Sequence, residues 1–387
     1  RLVISDDGSS DASLAVAETA AAADPRIEVV RNPNRLVFRN FGVSLRRATT
    51  PWFVWLAADD FWAPTFLEQA MARAAERPDA VSILPGWAFA GDAAGRPVPG
   101  TAPLDGQWAG RVRRYLAAPG GTRMYGLTRT DPLRAAFPDR NIVAWDWLMV
   151  LGLLRSGPML RAPGPAVLFR EETPLAAYVA SVETWHTGSA IRWPARSMSL
   201  LALRGGLIPP GAIGALAALN LRKHEEYLAY RDPAAFAARL PLFRRLGLPI
   251  ACKPGRAVEI AEYLLAEDPD RREGAGEMLS ALAGSGDGAA ARSLGRARAS
   301  GRLPGAAAEA YAQAAALGDP DGRFWTAMNA GRPQGHGAWA AIIDIAAAGS
   351  ADARAWLTAE AATGGVPDAV RPVLAHRLGI GLSEAAE

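Results

Sequence analysis

Two acidic pairs, each closing an apolar run, constrain this chain more than any other feature. Leu2-Val3-Ile4-Ser5 runs into Asp6-Asp7-Gly8-Ser9, and Trp52-Phe53-Val54-Trp55-Leu56 runs toward Asp59-Asp60. Short apolar runs bounded by turn residues read as buried strands. Strands of one parallel sheet that end in carboxylates gather them at its carboxyl edge, where open α/β sheets bind ligands. Carboxylates there suit a divalent cation and a phosphate-bearing substrate, because hard cations take oxygen ligands.

Strands and helices alternate over the first 90 residues. Ser10 to Ala23, Phe41 to Ala48 and Pro64 to Arg77 read as helices, and Ile27 to Val30 and Ala80 to Leu84 as strands. That alternation predicts an α/β fold with a mostly parallel, Rossmann-like sheet flanked by helices. Residues 90–122, rich in Gly and Pro, read as an insert or mobile loop holding a short helix from Arg111 to Leu116. Met124 to Leu127 reads as a returning strand, Val143 to Leu154 as an apolar helix with one acid, Asp146, and Ala166 to Arg170 as the last strand. From Pro174 onward the pattern is helical. The expected division is 1–175 for the sheet domain, 176–255 for a helical connection and 256–387 for a helical repeat domain.

The repeat is visible as Gly286-Asp287, Gly318-Asp319 and Gly349-Ser350, each preceded by an alanine-rich helical run and followed by another. A period near 30 residues with two helices per unit implies a stacked solenoid of helix pairs, which becomes an all-α domain. Trp325 and Trp356 recur at this period and read as core.

Bulk properties exclude several classes. A net charge of +3 across 387 residues, with no basic cluster, argues against nucleic-acid binding. Cys252 is the single cysteine, which excludes an intramolecular disulfide framework and a zinc–cysteine site and fits a cytoplasmic location. Met198 to Leu221 is apolar but interrupted by Arg204, a glycine pair and Pro209-Pro210. A transmembrane helix needs ~20 apolar residues, so a buried hairpin is expected, with contact to a membrane surface the lesser option. Arg1-Leu2-Val3-Ile4 reads as mid-strand, so the expected N-terminus lies upstream by one strand–helix unit, about 30 residues.

Five segments in order resemble family 2 glycosyltransferases of the GT-A nucleotide-sugar fold. They are Val3 to Asp11; Asn32-Pro33-Asn34 with Phe38-Arg39-Asn40-Phe41-Gly42; Trp52 to Pro64; Ala144-Trp145-Asp146-Trp147; and Leu168-Phe169-Arg170. Residues 260–380 resemble SEL-like relatives of tetratricopeptide repeats, which implies a possible protein partner for that region.

The resemblance implies roles. Asp7 would accept from the base or ribose of a nucleotide, with Asp6 as support or a second ribose contact. Arg39 and Arg170 would steady the base or diphosphate. Asp59 and Asp60 would hold Mn2+ or Mg2+ against the diphosphate, with Asp59 also meeting the donor. Asp146 would be the general base, its carboxyl desolvated by Trp145 and Trp147. Plainer readings stand beside these: Asp-Gly is a common turn pair, Asp59-Asp60 is a plausible helix cap, and Arg39 reads equally as a surface arginine. The family places acids where Ala57 and Trp145 stand. No histidine follows Arg170 closely, so none is assigned as a ligand.

The expected function is metal-dependent, inverting transfer of a sugar from a nucleotide-sugar donor, a UDP-sugar first, to a glycan or lipid-linked acceptor of the kind met in cell-envelope polysaccharide synthesis. The enzyme would be of hexosyltransferase type, cytoplasmic or membrane-associated. Nucleotidyl transfer is a second enzymatic reading of the same acidic edge. The alternative outside enzymology is a degenerate transferase domain serving as a binding platform beside a protein-interaction solenoid.

Overall fold

The computed structural model describes residues 1–32, 37–89, 101–169, 192–329 and 331–380. The chain divides into two compact units, Arg1–Lys223 and His224–Glu387.

Among the described residues, the first unit holds seven strands: β1 (Leu2–Asp6), β2 (Ile27–Arg31), β3 (Trp52–Phe53), β4 (Asp60–Phe61), β5 (Ser82–Phe89), β6 (Leu127–Arg129) and β7 (Met159–Phe169). Its helices are α1 (Ser13–Ala23), α2 (Val37–Arg47), α3 (Phe66–Glu76), α4 (Trp108–Ala117), α5 (Thr130–Ala136), α6 (Trp145–Ser156) and α7 (Arg196–Arg204), and α8 (Ile213–Arg231) begins in it. Strand β1 pairs parallel with β2, and five strands form a second sheet in the order β3-β6-β5-β7-β4.

Helices packed on a mostly parallel strand framework are as expected, with β1–β2 and β5–β7 paired parallel over their lengths and short antiparallel pairs added beside them. β5 and β7 run parallel, whereas β3–β6, β5–β6 and β4–β7 are antiparallel. β6 enters between β3 and β5 after a 3-10 turn at Gly121–Tyr125, with no crossover to force parallel pairing. The third strand also stops short of Leu56. Trp55 leaves the ladder for the core, only 5% exposed, with its indole N–H donating to Ser44 Oγ at 2.9 Å.

The larger sheet is covered on both faces. On β5, Ile83 packs with Phe66, Ala70 and Ala74 of α3, whereas Leu84 packs with Leu148 to Leu154 of α6. Neighbours on a strand face opposite ways, so both faces are apolar. Of residues 90–122, expected as an insert or mobile loop, 90–100 lie outside the described residues and the helix in the remainder packs into the core. Val112, Tyr115 and Leu116 of α4 are fully buried at the i, i+3, i+4 spacing of a core-facing helix. The expected hairpin is α7 and α8, with Met198, Ala202, Leu216 and Leu219 in the core. Among the described residues, no helix is long and apolar enough to cross a membrane.

The second unit is helical. It contains α9 (Pro233–Arg245), α10 (Pro254–Glu267), α11 (Arg272–Gly284), α12 (Gly288–Ala299), α13 (Ala307–Ala316), α14 (Pro320–Asn329), α15 (Gly335–Ala347), α16 (Ala351–Ala362) and α17 (Arg371–Leu378). The three glycines singled out by sequence make one turn three times. Gly286, Gly318 and Gly349 have φ of 97°, 85° and 106°, a region that favours glycine. After each, the next residue's N–H returns to the preceding helix: Asp287 to Leu282 O, Asp319 to Ala314 O and Ser350 to Ile345 O, at 3.0–3.2 Å. The same three residues accept from Ala290 N, Gly322 N and Ala353 N and so cap the following helix. Gly288 and Pro320 occupy the first helical position, where proline's missing N–H costs nothing.

Candidate active site

The site is built around the N-terminus of α6. Ala144, just before it, is left-handed at φ 60°, the one non-glycine residue with positive φ among those described. This conformation costs about 1 kcal/mol or more. It turns the chain so that Asp146 falls in the first helical turn, where free N–H groups favour an anion.

Trp145, where the family has an acid, is committed to packing. Its ring lies 5.2 Å from Phe38, 5.6 Å from Phe41 and 5.7 Å from Phe137. The carboxylate of Asp146 instead sits against Gly121. A Cβ placed on Gly121 would overlap the carboxylate, with Cγ only 3.1 Å away. Burial pushes the Asp146 carboxyl up to about 6, against the opposing pull of the N–H groups of Trp147 and Asp146 itself.

Asp60 is the second perturbed acid. It follows a turn in which its N–H donates to Ala57 O at 3.2 Å, and it begins the edge strand β4, opposite Phe169. It is 9% exposed, and burial followed by the charge of Asp59 pushes its carboxyl up to about 6. Asp59 itself is exposed.

Tyr125 links these acids. Burial raises its hydroxyl first, and the negative charges of Asp60, Asp146 and Asp59 raise it further. Three carboxylates therefore bear by their charge on one half-buried phenol. Tyr115 is likewise raised by burial and then by Asp146. Neither Tyr125 nor Gly121 was legible as a site residue, because Met124 to Leu127 reads as a strand. The available signal was the Gly120-Gly121 pair, which marks a close approach.

The first acidic pair is placed differently. The Asp6 carboxylate accepts from the N–H groups of Gly8 and Ser9 at 3.1–3.3 Å, and hydrogen bonding from Ser9, then Gly8, holds its carboxyl below the usual range despite some desolvation. Asp7 follows at the end of β1, half-buried. The charge of Asp11 pushes the Asp6 carboxyl back up. Arg39 is exposed in the first turn of α2. Its neighbour Asn40, not singled out by sequence, joins three elements: it accepts from Ser5 Oγ and from Asn32 Nδ2 at 3.3 Å and donates to Ser5 O at 3.0 Å. Arg170 lies outside the described residues.

The donor set at Asp59-Asp60 bears on a metal. Among the described residues, no three groups of the His, Cys, Asp or Glu type are grouped to hold an ion. Two adjacent carboxylates, one destabilised by the other's charge, still match the Mg2+ habit of using one or two carboxylates beside substrate phosphates.

Comparison with known proteins gives the following. No curated protein matches the chain. Among solved structures, a crystal structure of S. aureus TarS 1-349 is similar at a TM-score of 0.43 and 14% identity, covering 82% of this chain and 79% of that one. A second crystal structure of S. aureus TarS gives a TM-score of 0.43 and 14% identity, covering 72% of this chain and 48% of that one, so the chain spans about half its length. The family model described as glycosyl transferase family 2 matches residues 1–133, which takes in Asp59, Asp60, Gly121 and Tyr125 and stops before Asp146. The N-terminal third of the chain is a family 2 glycosyl transferase domain.

Proposed function

We propose that the protein is an inverting glycosyltransferase in which Asp146 removes the proton from an acceptor hydroxyl. The observation that carries this reading is the Asp146 carboxylate, set in the first turn of α6 against Gly121 and pushed up to about 6 by burial, with the likewise raised Asp60 also bearing by its charge on Tyr125. A carboxyl in that range is ionised at neutral pH yet basic enough to take a proton in the transition state. The acceptor oxygen then bonds to the anomeric carbon as the bond to the nucleotide's phosphate oxygen breaks, the proton stays on Asp146, and the sugar's configuration inverts.

Asp59 and Asp60 would hold Mn2+ or Mg2+, which when bound supplies positive charge to the departing diphosphate. Asp7, Arg39 and Arg170 are assigned to the donor, a UDP-sugar in the first instance, and Asp6 to the turn that presents Asp7. The acceptor is a glycan or lipid-linked hydroxyl, and the cell-envelope setting follows from that assignment. We divide the chain into a transferase region at 1–175, a connection at 176–255 and SEL-like repeats at 256–387 that bind a protein partner. The recurrent turns at Gly286, Gly318 and Gly349 support the repeat assignment.

Calorimetric titration of UDP with and without manganese tests the site. Manganese-dependent binding should weaken at least tenfold in Asp60→Ala, about 1.4 kcal/mol, while Asp146→Asn keeps UDP affinity and loses transfer. Absence of UDP binding by the wild type in manganese would overturn the reading. Binding indifferent to manganese would favour the platform alternative, to which Ala57 and Trp145 in place of acids also point.

A further inference from the structure

We propose that the C-terminal end of α9 and the turn after it form a docking surface for an anionic lipid membrane. Within the second unit this segment combines exposed leucines with an excess of positive charge. Leu242, Leu246 and Leu248 are 50%, 57% and 50% exposed. Residues 233–258 carry Arg239, Arg244, Arg245, Lys253 and Arg256 and no aspartate or glutamate.

The leucines are held in place. Phe236, Ala237 and Leu240 bury the inner side of α9. Leu242 and Leu246 are four residues apart and Arg239 is three before Leu242, so all three share the outer face. Gly247, left-handed at φ 64°, ends the helix, with its N–H donating to Arg244 O at 3.1 Å and that of Leu248 to Phe243 O at 2.9 Å. This pair of bonds is the Schellman arrangement, and it fixes Leu248 beside Leu246. Arg244 is tied to Gly284 O at 2.8 Å, and Arg256 pairs with Glu259 at 2.6 Å. Arg239 and Arg245 are exposed and have no ion pair among the described residues.

Apolar side chains entering the acyl boundary while arginines reach the headgroups is how interfacial helices bind. The absence of acids over the whole segment selects lipid phosphates over a neutral surface, and each basic residue near such a surface strengthens binding about fivefold. The inference is independent of the transferase reading.

Sedimentation of the full chain with vesicles tests it, using phosphatidylcholine alone and phosphatidylcholine mixed with phosphatidylglycerol. The wild type should bind the mixed vesicles, lose binding in high salt and ignore the neutral ones. Leu246→Glu/Leu248→Glu and Arg239→Glu/Arg245→Glu should each weaken binding tenfold or more, with unchanged circular dichroism because all four residues are exposed. The proposal is overturned if the wild type does not bind the mixed vesicles or binds both kinds equally. It is also overturned if both variants bind like wild type, or if the leucine variant converts an oligomer to a monomer, which would make a second copy the occupant.

Discussion

Replacing Asp146 by asparagine should stabilise the protein while abolishing its chemistry, and the stabilisation should depend on pH. The carboxyl is pushed from an ordinary 3.8 to about 6 by burial. Between those values the folded state holds a proton that the unfolded state has released, so stability is highest below the lower value and falls as pH rises through the upper one. At about 1.4 kcal/mol per pH unit, the buried charge costs the folded protein about 3 kcal/mol once fully ionised. The helpful N–H groups of Trp147 and Asp146 are already contained in that separation. Asparagine does not titrate and keeps the shape. Its advantage should be absent near pH 4 and reach roughly 1–3 kcal/mol near pH 8, several degrees in Tm for a unit of this size. Asp60 titrates in the same window but is present in both proteins and cancels in the difference. The assay is thermal unfolding of both proteins across this pH range at fixed ionic strength, with sugar transfer measured alongside and expected to fall about 10²- to 10⁴-fold. A stability difference that stays constant with pH would refute the reasoning, because it would mean that Asp146 titrates as an ordinary surface acid and has no claim to be the base.

Three further outcomes follow from what a Cβ would meet at glycines. Gly121→Ala puts a Cβ into the Asp146 carboxylate, which is the far end of a side chain and can move; transfer should drop at least tenfold, about 1.4 kcal/mol in the barrier, with Tm nearly unchanged, and a variant of full activity would show that the carboxylate's position is immaterial. Gly322→Ala meets backbone instead, 2.9 Å from Ala314 C and Ala315 N, so α13 and α14 must separate at a cost of about 1–3 kcal/mol, read as faster hydrogen exchange over residues 307–329; Gly318→Ala, with open space at φ 85°, should cost only about 1–2 kcal/mol.

What was legible in the sequence was what short stretches decide by themselves. The turns at Gly286, Gly318 and Gly349 are closed by bonds spanning five residues and capped by the residue that follows, so their chemistry is written where it acts. Asp146 stood out for a similar reason, as a lone acid in an apolar helix, and burial raises its carboxyl as that placement requires. The source of the burial was not legible. Trp145 faces Phe38, Phe41 and Phe137, while the carboxylate's neighbour is Gly121, 25 residues away in a turn whose Met124 and Tyr125 imitate a strand. The same distance problem explains β3. Trp52 to Leu56 has the composition of a continuous strand, yet Trp55 is drawn out of the ladder by Ser44 and Phe41 of α2. That departure places Asp59 in a turn and Asp60 at the start of an antiparallel edge strand, a setting that a continuous strand would not give. The acidic pairs that looked alike in sequence thus stand in different surroundings: Asp6 holds its own turn, whereas Asp60 is buried and, like Asp146, bears by its charge on Tyr125, a residue no local pattern could connect to either.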